Sequence, residues 1–493
     1  MNELNRPNLL YIHSDQHSPH VTGCYGDNLV ETPNLDGLAA NGVVFDNAYC
    51  CSPICVPSRM SMLSGRHPFE NEVWTNEHGL DSRIPTFAHA MGAAGYSPEL
   101  VGRMHSVGPD QLHGYAARFV GDHGANHPGN PGPDRGILSV TAGPHHLSLE
   151  RSGPGQSAYQ VHDEDVTAVT IDRLNRLGVQ KRAGILKQPF SLSVGLMLPH
   201  PPYVARQEDY DRYADSMTLP GKSAPPLDEQ HPFLRWWRQS TGIEVMDESE
   251  VRRSRAAYAG LVYRTDAMIG QILNALVENR LDDNTLIVYT SDHGDMQGEH
   301  GLFWKHVFYE ESVRVPLIVS WPGRIPEGQR SENVVSALDV AATMLDAMDA
   351  PALPNSAGRS FLPQIEGLNG VPAWEDVAFS EYCTDKFGPP EGAYQRMVRR
   401  EEWKYIHYHD YPSQLFNLRE DPEELSDRSD DLGCRSILEE LRGEVLQGWD
   451  PGEVQRKMAR KRADEPILVE WARNTGPEER YRWPMLKEMN WLA

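Results

Sequence analysis

Four apolar runs in this chain each end in side chains that can ligate a metal or move a proton. Asn8-Leu9-Leu10-Tyr11-Ile12-His13-Ser14 is followed by Asp15-Gln16-His17, and residues 96–101 lead through Gly102 to Arg103-Met104-His105. Residues 190–198 lead to Pro199-His200-Pro201, and residues 285–290 to Ser291-Asp292-His293-Gly294-Asp295. Asp15 and Asp292 at neighbouring strand ends would repel one another, and a divalent cation held between them by oxygen donors relieves that repulsion. Gln16 can add a carbonyl oxygen and His293 a ring nitrogen. Oxygen-dominated ligation favours Ca²⁺ or Mg²⁺, and the imidazole moves the preference somewhat towards Mn²⁺; of these Ca²⁺ is the metal expected. Taken singly, each Asp is equally a helix N-cap and each His a structural histidine. Their convergence at four strand ends is what points to a site.

A fifth segment, Cys55-Val56-Pro57-Ser58-Arg59-Met60-Ser61-Met62-Leu63-Ser64-Gly65-Arg66, reads as a helix. Pro57 suits a first turn, Met60, Met62 and Leu63 supply an apolar side, and Gly65 is a terminator. Residue 55 then sits at the helix N-terminus, where free N–H groups and the macrodipole favour an anion. Arg59 lies one turn further on. Arg103 and Lys305, the latter in Leu302-Phe303-Trp304-Lys305-His306, are the other cations able to stabilise developing charge. His200, after a strand, is a reasonable donor to a leaving alkoxide.

The elements that must position these residues follow from the pattern. Strands separated by helical segments at 84–94, 163–177 and 252–279 predict an α/β parallel sheet, with ligands beyond the carboxyl ends of its strands. Residues 121–157, rich in Gly, Pro and His, read as a long surface loop of the kind that forms lids and substrate walls. Residues 220–241 read as a second loop, carrying Arg235-Trp236-Trp237-Arg238. After a Pro/Gly-rich stretch at 351–370, β-like runs at 377–382, 394–399 and 404–408 and a helix at 434–446 predict a small α+β domain. The division expected is a catalytic domain over 1–368 and a smaller one over 369–493. The acidic run 420–431 reads as a solvated turn. The aromatic closing segment 481–493 is expected to dock on its own domain, with a neighbouring subunit's pocket in a homo-oligomer as the alternative.

The chain has 493 residues, and 70 acidic against 46 basic side chains leave a formal charge of −24. That balance argues against nucleic acid or an anionic membrane as partner. An anionic substrate must therefore be drawn in by a local cationic pocket. No run is long and apolar enough to span a bilayer, and the first residues lack the features of a secretory leader. Six cysteines, Cys24, Cys50, Cys51, Cys55, Cys383 and Cys434, form no disulfide or zinc pattern. A reducing, cytoplasmic setting is expected.

The segment from Cys55 to Arg66 resembles the signature of the type I sulfatases, within the alkaline phosphatase superfamily. The resemblance runs from about residue 8 to 427 and includes Thr32-Pro33-Asn34-Leu35-Asp36, Phe45-Asp46-Asn47-Ala48-Tyr49, Pro199-His200-Pro201-Pro202-Tyr203, Arg314-Val315-Pro316-Leu317, Trp403-Lys404-Tyr405-Ile406 and Leu415-Phe416-Asn417-Leu418. It implies an alkaline phosphatase-like fold, a large mostly parallel sheet flanked by helices with a smaller C-terminal α+β domain carrying an antiparallel sheet. Cys55 is similar to the precursor of formylglycine, whose hydrated aldehyde offers a hydroxyl as nucleophile, and a formylglycine-generating maturation enzyme is then an expected partner. Asp15, Gln16, Asp292 and His293 look like the ligands of one divalent metal. Arg59, Arg103, His105, His200 and Lys305 match the catalytic pocket, where His105 would take a proton from the second hydroxyl and expel sulfate.

Two departures narrow the resemblance. Many sulfatases have two consecutive Asp where this chain has Asp15-Gln16, and an Asn where it has His293; the combination here looks more like choline sulfatases and phosphonate monoester hydrolases. Arg103 stands where the family usually has Lys, a planar fork in place of a point donor. The function implied is hydrolysis of an alkyl, aryl or sugar O-sulfate, with a small molecule or saccharide as substrate. Phosphonate monoester or phosphodiester hydrolysis is the first alternative, and a binding protein with unconverted Cys55 the second. A choline ester would need a cage for its quaternary ammonium, for which Trp74, Trp236 and Trp237 are the candidates.

Overall fold

The four runs that carry the chemistry are consecutive neighbours in one sheet. This computed structural model describes residues 6–367, 370–386 and 388–493. Along the chain come β1 (Asn8–Asp15), β2 (Val43–Tyr49), β3 (Pro98–Gly102), β4 (Ala117–Phe119), β5 (Gly153–Gln156), β6 (Ser191–Pro199), β7 (Val204–Ala205), β8 (Thr285–Ser291), β9 (Leu317–Ser320) and β10 (Gln329–Ser336). Eight of these form a sheet in the order β10-β2-β9-β8-β1-β6-β3-β4. All pairings are parallel except those of β9 with β2 and β8.

Burial on both faces explains why the central strands read as unbroken apolar runs. Alternate residues of β1 enter different cores: Leu9 and Tyr11 one, Leu10 and Ile12 the other. Helices α1 (Cys55–Ser64), α2 (Ala158–Arg182), α3 (Pro232–Thr241), α4 (Glu248–Glu278) and α5 (Ala337–Ala347) belong to this part of the chain. Residues 232–241 are thus a helix and not the loop expected there. Pro232 opens α3, Gly242 closes it in a left-handed conformation at φ 76°, and Phe233, Leu234 and Trp237 bury one side. That amphipathic face outweighs the surrounding Pro and charge.

The expected short strands are present as β11 (Val377–Thr384), β12 (Ala393–Arg400) and β13 (Trp403–Tyr408), joined by β14 (Gln414–Asn417) in an antiparallel sheet. Helix α6 (Arg435–Leu446) packs Leu441 and Val445 against Val398, Tyr405 and Leu415. The boundary placed at 368/369 lies on two residues outside those described, as do residues 1–5 of the supposed leader-free start. Ala378, Tyr382 and Met397 share a core with Leu9 and Phe45. Helix α7 (Pro451–Thr475) follows; Pro466 and a buried side of only Val454, Met458 and Ala472 hide its period in the sequence. The tail then returns to the chain's own body. Trp483 donates its N–H to the Asp122 carbonyl at 2.8 Å, and β15 (Trp491–Leu492) pairs with β5, which also pairs with β7. No helix among the described residues is long and apolar enough to cross a membrane.

The acidic run is not merely solvated. Glu424 is buried, and Lys404 on β13, itself fully buried, donates to Glu424 at 2.7 Å and to Glu310 at 2.8 Å. This cation joins the second sheet to the segment that follows Lys305. Replacing it strands two buried carboxylates face to face. Lys404→Met is therefore expected to cost about 3–5 kcal/mol, read as a fall in the midpoint of urea unfolding; an unchanged midpoint would refute the clamp.

Candidate active site

Register decides which strand ends meet. Ser14 of β1 lies opposite Ser291 of β8, so Asp15 and Asp292, the next residue of each, emerge side by side. Gly102 of β3 lies opposite Gly195 of β6; a Cβ on Gly102, whose φ is +92°, would run into the Gly195 carbonyl. Only glycine lets the two strands close up where Arg103 departs.

Helix α1 enters from the same edge. Ile54 is its extended N-cap, the Val56 N–H is held by Asn76 Oδ1 at 2.9 Å, and Ser58 Oγ donates to the Asp292 carbonyl at 2.6 Å. Every residue of the helix is buried. Arg59 is thus confined to the interior, where Nε donates to Asp292 Oδ2 at 2.8 Å and a terminal nitrogen to Asp15 Oδ2 at 3.0 Å. Arg103 Nε adds a bond to Asp15 Oδ2 at 2.6 Å. Part of the cation that two adjacent carboxylates require is therefore supplied by the chain itself. Burial alone would push the Asp15 carboxyl up, but Arg103, Arg59, His200 and Lys305 hold it well below the usual carboxylate range.

The remaining donors converge on Cys55. Its Sγ lies 3.0 Å from Lys305 Nζ, 3.3 Å from His293 Nε2 and 3.7 Å from Asp15 Oδ1. Burial, with Asp15, pushes the thiol pKa up against the pull of Lys305. One donor atom each from Asp15, Cys55, Asp292 and His293 fall within 4.8 Å of one another. His293 Nδ1 faces the Gly294 carbonyl at 3.1 Å, which leaves the Nε2 lone pair turned to the cluster; burial lowers this ring's pKa to about 4, so it is neutral at pH 7. Asp15 keeps Oδ1 for the cluster because both guanidiniums take Oδ2. The set fits a divalent cation with oxygen and imidazole ligands. Gln16, at φ 65°, gives its Nε2 to Asp295 at 2.6 Å and turns Oε1 to Lys305 at 2.7 Å. Its amide oxygen thus faces the ammonium that touches Cys55.

The two histidines differ in setting. His200 Nδ1 donates to the Pro201 carbonyl at 2.6 Å, and its Nε2 stands 3.9 Å from Asp15 Oδ1. His105 Nδ1 accepts from Arg103 at 2.8 Å. Burial, reinforced by Lys305 at His200 and by Arg103 at His105, keeps both rings neutral in the free site. His105 also lines a cavity of about 570 Å³ bounded by Asn76, the 124–130 loop and α7. None of Trp74, Trp236 and Trp237 lines it; Trp74 and Trp237 are buried, and Trp74 donates to Glu381 at 2.9 Å.

All ten residues singled out in the sequence lie in this one region. Three further contributors were not singled out. Asp295 and Tyr203, whose hydroxyl donates to Asp295 at 2.8 Å, stood inside quoted motifs without a role. Asp122 had no sequence signal at all. It accepts from Arg118 at 2.6 Å, from the His105 N–H at 2.8 Å and from Arg103 at 3.4 Å, and so orders the guanidinium fork that the family resemblance left without an exact role.

The chain is similar to known proteins over most of its length. Residues 7–350 match the Sulfatase family, and residues 298–449 match the family described as N-sulphoglucosamine sulphohydrolase, C-terminal. The chain is 35% identical over 481 residues to a choline-sulfatase of Rhizobium meliloti (strain 1021), covering 95% of this chain and 92% of that protein. It is 32% identical over 452 residues to arylsulfatase K of Gallus gallus, covering 85% and 78%. Among solved structures, a phosphonate monoester hydrolase of Agrobacterium radiobacter shares the fold with a TM-score of 0.73 at 24% identity, covering 90% of this chain and 95% of that one.

Asp122 carries a pH signature. Burial would raise its pKa, but Arg118, Arg103 and His105 together hold it well below the carboxylate range. A depressed folded-state pKa stabilises the fold above the unfolded value, about 4, and that contribution fades as pH falls below it. Asp122→Asn is expected to lower the thermal midpoint at pH 7, with the gap to the parent narrowing below about pH 4. A gap that stays constant with pH would show that Asp122 acts by packing alone.

Proposed function

Because this chain belongs to the sulfatase family, whose reaction is the hydrolysis of sulfate esters, we propose that its strand-end site cleaves an alkyl, aryl or sugar O-sulfate through a formylglycine made from Cys55. The observation that carries the reading is Cys55 at the first turn of a buried helix, with Lys305, His293 and Asp15 all against its Sγ. When present, a hydrated formylglycine supplies the nucleophilic hydroxyl, and a divalent cation held by Asp15, Gln16, Asp292 and His293, Ca²⁺ first by ligand type, offsets the charge on the sulfate oxygens.

The chain's own groups do the rest. Lys305 Nζ, 3.0 Å from the side-chain atom of residue 55, orients that atom and stabilises charge developing beside it. Arg59 and Arg103 hold Asp15 ionised and fixed. His200 delivers a proton from Nε2 to the leaving oxygen; the bound ester's negative charge favours the protonated ring that burial disfavours in the free site. His105, whose Nδ1 accepts from Arg103, would take at Nε2 the proton of the second hydroxyl of residue 55 as the bond to sulfate breaks and the aldehyde is restored. Burial of Lys305, Arg59, Arg103 and His200 keeps water from them and strengthens their interactions. All six cysteines are free, which supports the reading of a reducing, cytoplasmic setting, where a maturation enzyme would convert Cys55.

Phosphonate ester hydrolysis is the second reading, favoured by the Asp15-Gln16 and Asp292-His293 pairs. The test is peptide mass spectrometry on residues around Cys55 after co-expression with a maturation enzyme, followed by kcat/KM on phenyl sulfate and on the matched phenyl phosphonate ester. Conversion of Cys55 to a hydrazine-reactive aldehyde and a higher kcat/KM for the sulfate are expected; the reverse preference would give the second reading, and a persistent thiol would remove the nucleophile. His200→Gln is expected to cut kcat/KM on a simple alkyl sulfate by about 10²–10⁴-fold and far less on 4-nitrophenyl sulfate, whose leaving group needs no proton. Equal losses on both esters would reject His200 as the acid.

A further inference from the structure

His13 is a polar residue at a core position. It follows Leu9 and Tyr11 on β1 at a spacing of two, so its side chain shares the face on which those residues enter one apolar core. The residue is buried, its ring centre lies 5.4 Å from that of Tyr11, and it borders a small cavity with Met62, Leu63, Phe87 and Met104. Among the described residues its side chain has one hydrogen-bond partner, Arg59.

That contact fixes the state of the ring. A terminal nitrogen of Arg59 donates to His13 Nδ1 at 2.9 Å. A guanidinium has donors only, so Nδ1 is the bare nitrogen and the hydrogen sits on Nε2. Burial and the charge of Arg59 hold the ring's pKa well below the ordinary histidine range, which keeps the Nδ1 lone pair available. Nε2 has no acceptor among the described residues. A buried N–H without an acceptor costs stability, and an apolar side chain would fill this position better if packing were its whole task. What the ring supplies that such a side chain cannot is the Nδ1 lone pair.

Arg59 is where that lone pair is needed. It makes five hydrogen bonds, as many as a guanidinium has N–H groups. Nε meets Asp292 Oδ2 at 2.8 Å, and the terminal nitrogens meet Asp15 Oδ2 at 3.0 Å, the Arg103 carbonyl at 3.2 Å, the Ser14 carbonyl at 3.3 Å and His13. Two of the acceptors are the acids at the strand ends and two are backbone. His13 is the remaining side chain and, at 2.9 Å, the shortest of the three neutral contacts.

We propose that His13 is a positioning residue: by accepting from Arg59 it fixes the tilt of the guanidinium between Asp15 and Asp292, and through it the aim of both carboxylates at the reacting groups. This rests on reading the Cys55 site as a sulfatase. With every N–H of Arg59 committed to the protein, the effect falls on turnover and not on ester binding.

The experiment uses the full-length enzyme with Cys55 converted and 4-nitrophenyl sulfate as substrate, each variant assayed well below its thermal midpoint. His13→Leu removes the acceptor and keeps the apolar fill; kcat is expected to fall about tenfold, the scale of one hydrogen bond from a charged donor, with KM altered less than about twofold. His13→Asn carries an amide oxygen where the ring has Nδ1 and should recover most of the loss, whereas a pure packing role would make Asn the worse of the two. An unaltered kcat in His13→Leu, a loss confined to KM, or an Asn variant no better than the Leu variant overturns the proposal. A second readout needs neither turnover nor a folded Leu variant. In ¹⁵N spectra of the histidine-labelled parent, the His13 signals, identified by their absence from His13→Asn, should show the hydrogen on Nε2 at pH 7; a hydrogen on Nδ1 overturns the proposal. If only the matched phosphonate ester turns over, the sulfatase reading fails by itself, and the same variants assayed on that ester decide the role of His13.

Discussion

One guanidinium holds this site together. Arg59 sits between Asp15 and Asp292, bonded to both, with only 1% of its side chain exposed. Two carboxylates from adjacent parallel strands cannot share a dry edge without a positive charge, since like charges at a few ångströms in a weakly screening interior repel strongly. Arg59 meets that need from below, on a helix whose first residue is the candidate nucleophile. Position 55 is therefore set by the same contact that permits the two acids to coexist. Buried ion pairs of this kind add little net stability, because desolvating the ions offsets their attraction. Their value lies in placement.

The rest of the architecture protects that placement. Arg103 takes the second lone pair of Asp15 Oδ2 and is itself ordered by Asp122, which leaves Oδ1 turned towards Cys55 and His293. Asp295 holds the Gln16 amide so that its oxygen faces Lys305. Each donor set thus assigns one atom to structure and frees the other for chemistry. Farther out, Lys404 ties the antiparallel sheet to Glu310 and Glu424, and α7 forms one wall of the cavity that His105 lines. A strongly acidic chain can in this way keep buried cations at its site, each held against a carboxylate.

Much of this could be read from residue order. Runs such as residues 8–14 and 285–291 had to be buried parallel strands, because they are apolar without alternation, and the residues just after them had to lie at one edge. The helix after Cys55 was legible from Pro57 and Gly65. Residues 232–241 were misread as a loop because Pro and charge masked a three-residue apolar face, and α7 went unread because Pro466 and a mostly polar surface blur its period. Glu424 was assigned to solvent, although a lysine distant in sequence buries it.

The sequence by itself determined the chemistry available: which acids, bases and cations stand at strand ends, and the resemblance that ties them to sulfate ester hydrolysis. That information is local, carried by short motifs and by hydrophobic pattern. Only the tertiary structure decided the pairings: that Arg59 lies between Asp15 and Asp292, that Asp122 orders Arg103, and that Lys404 joins Glu310 to Glu424. Each depends on register and on contacts between segments tens to hundreds of residues apart, and no single stretch of chain encodes a charge's partner. Whether a buried ion is matched or left free is a property of the packed assembly.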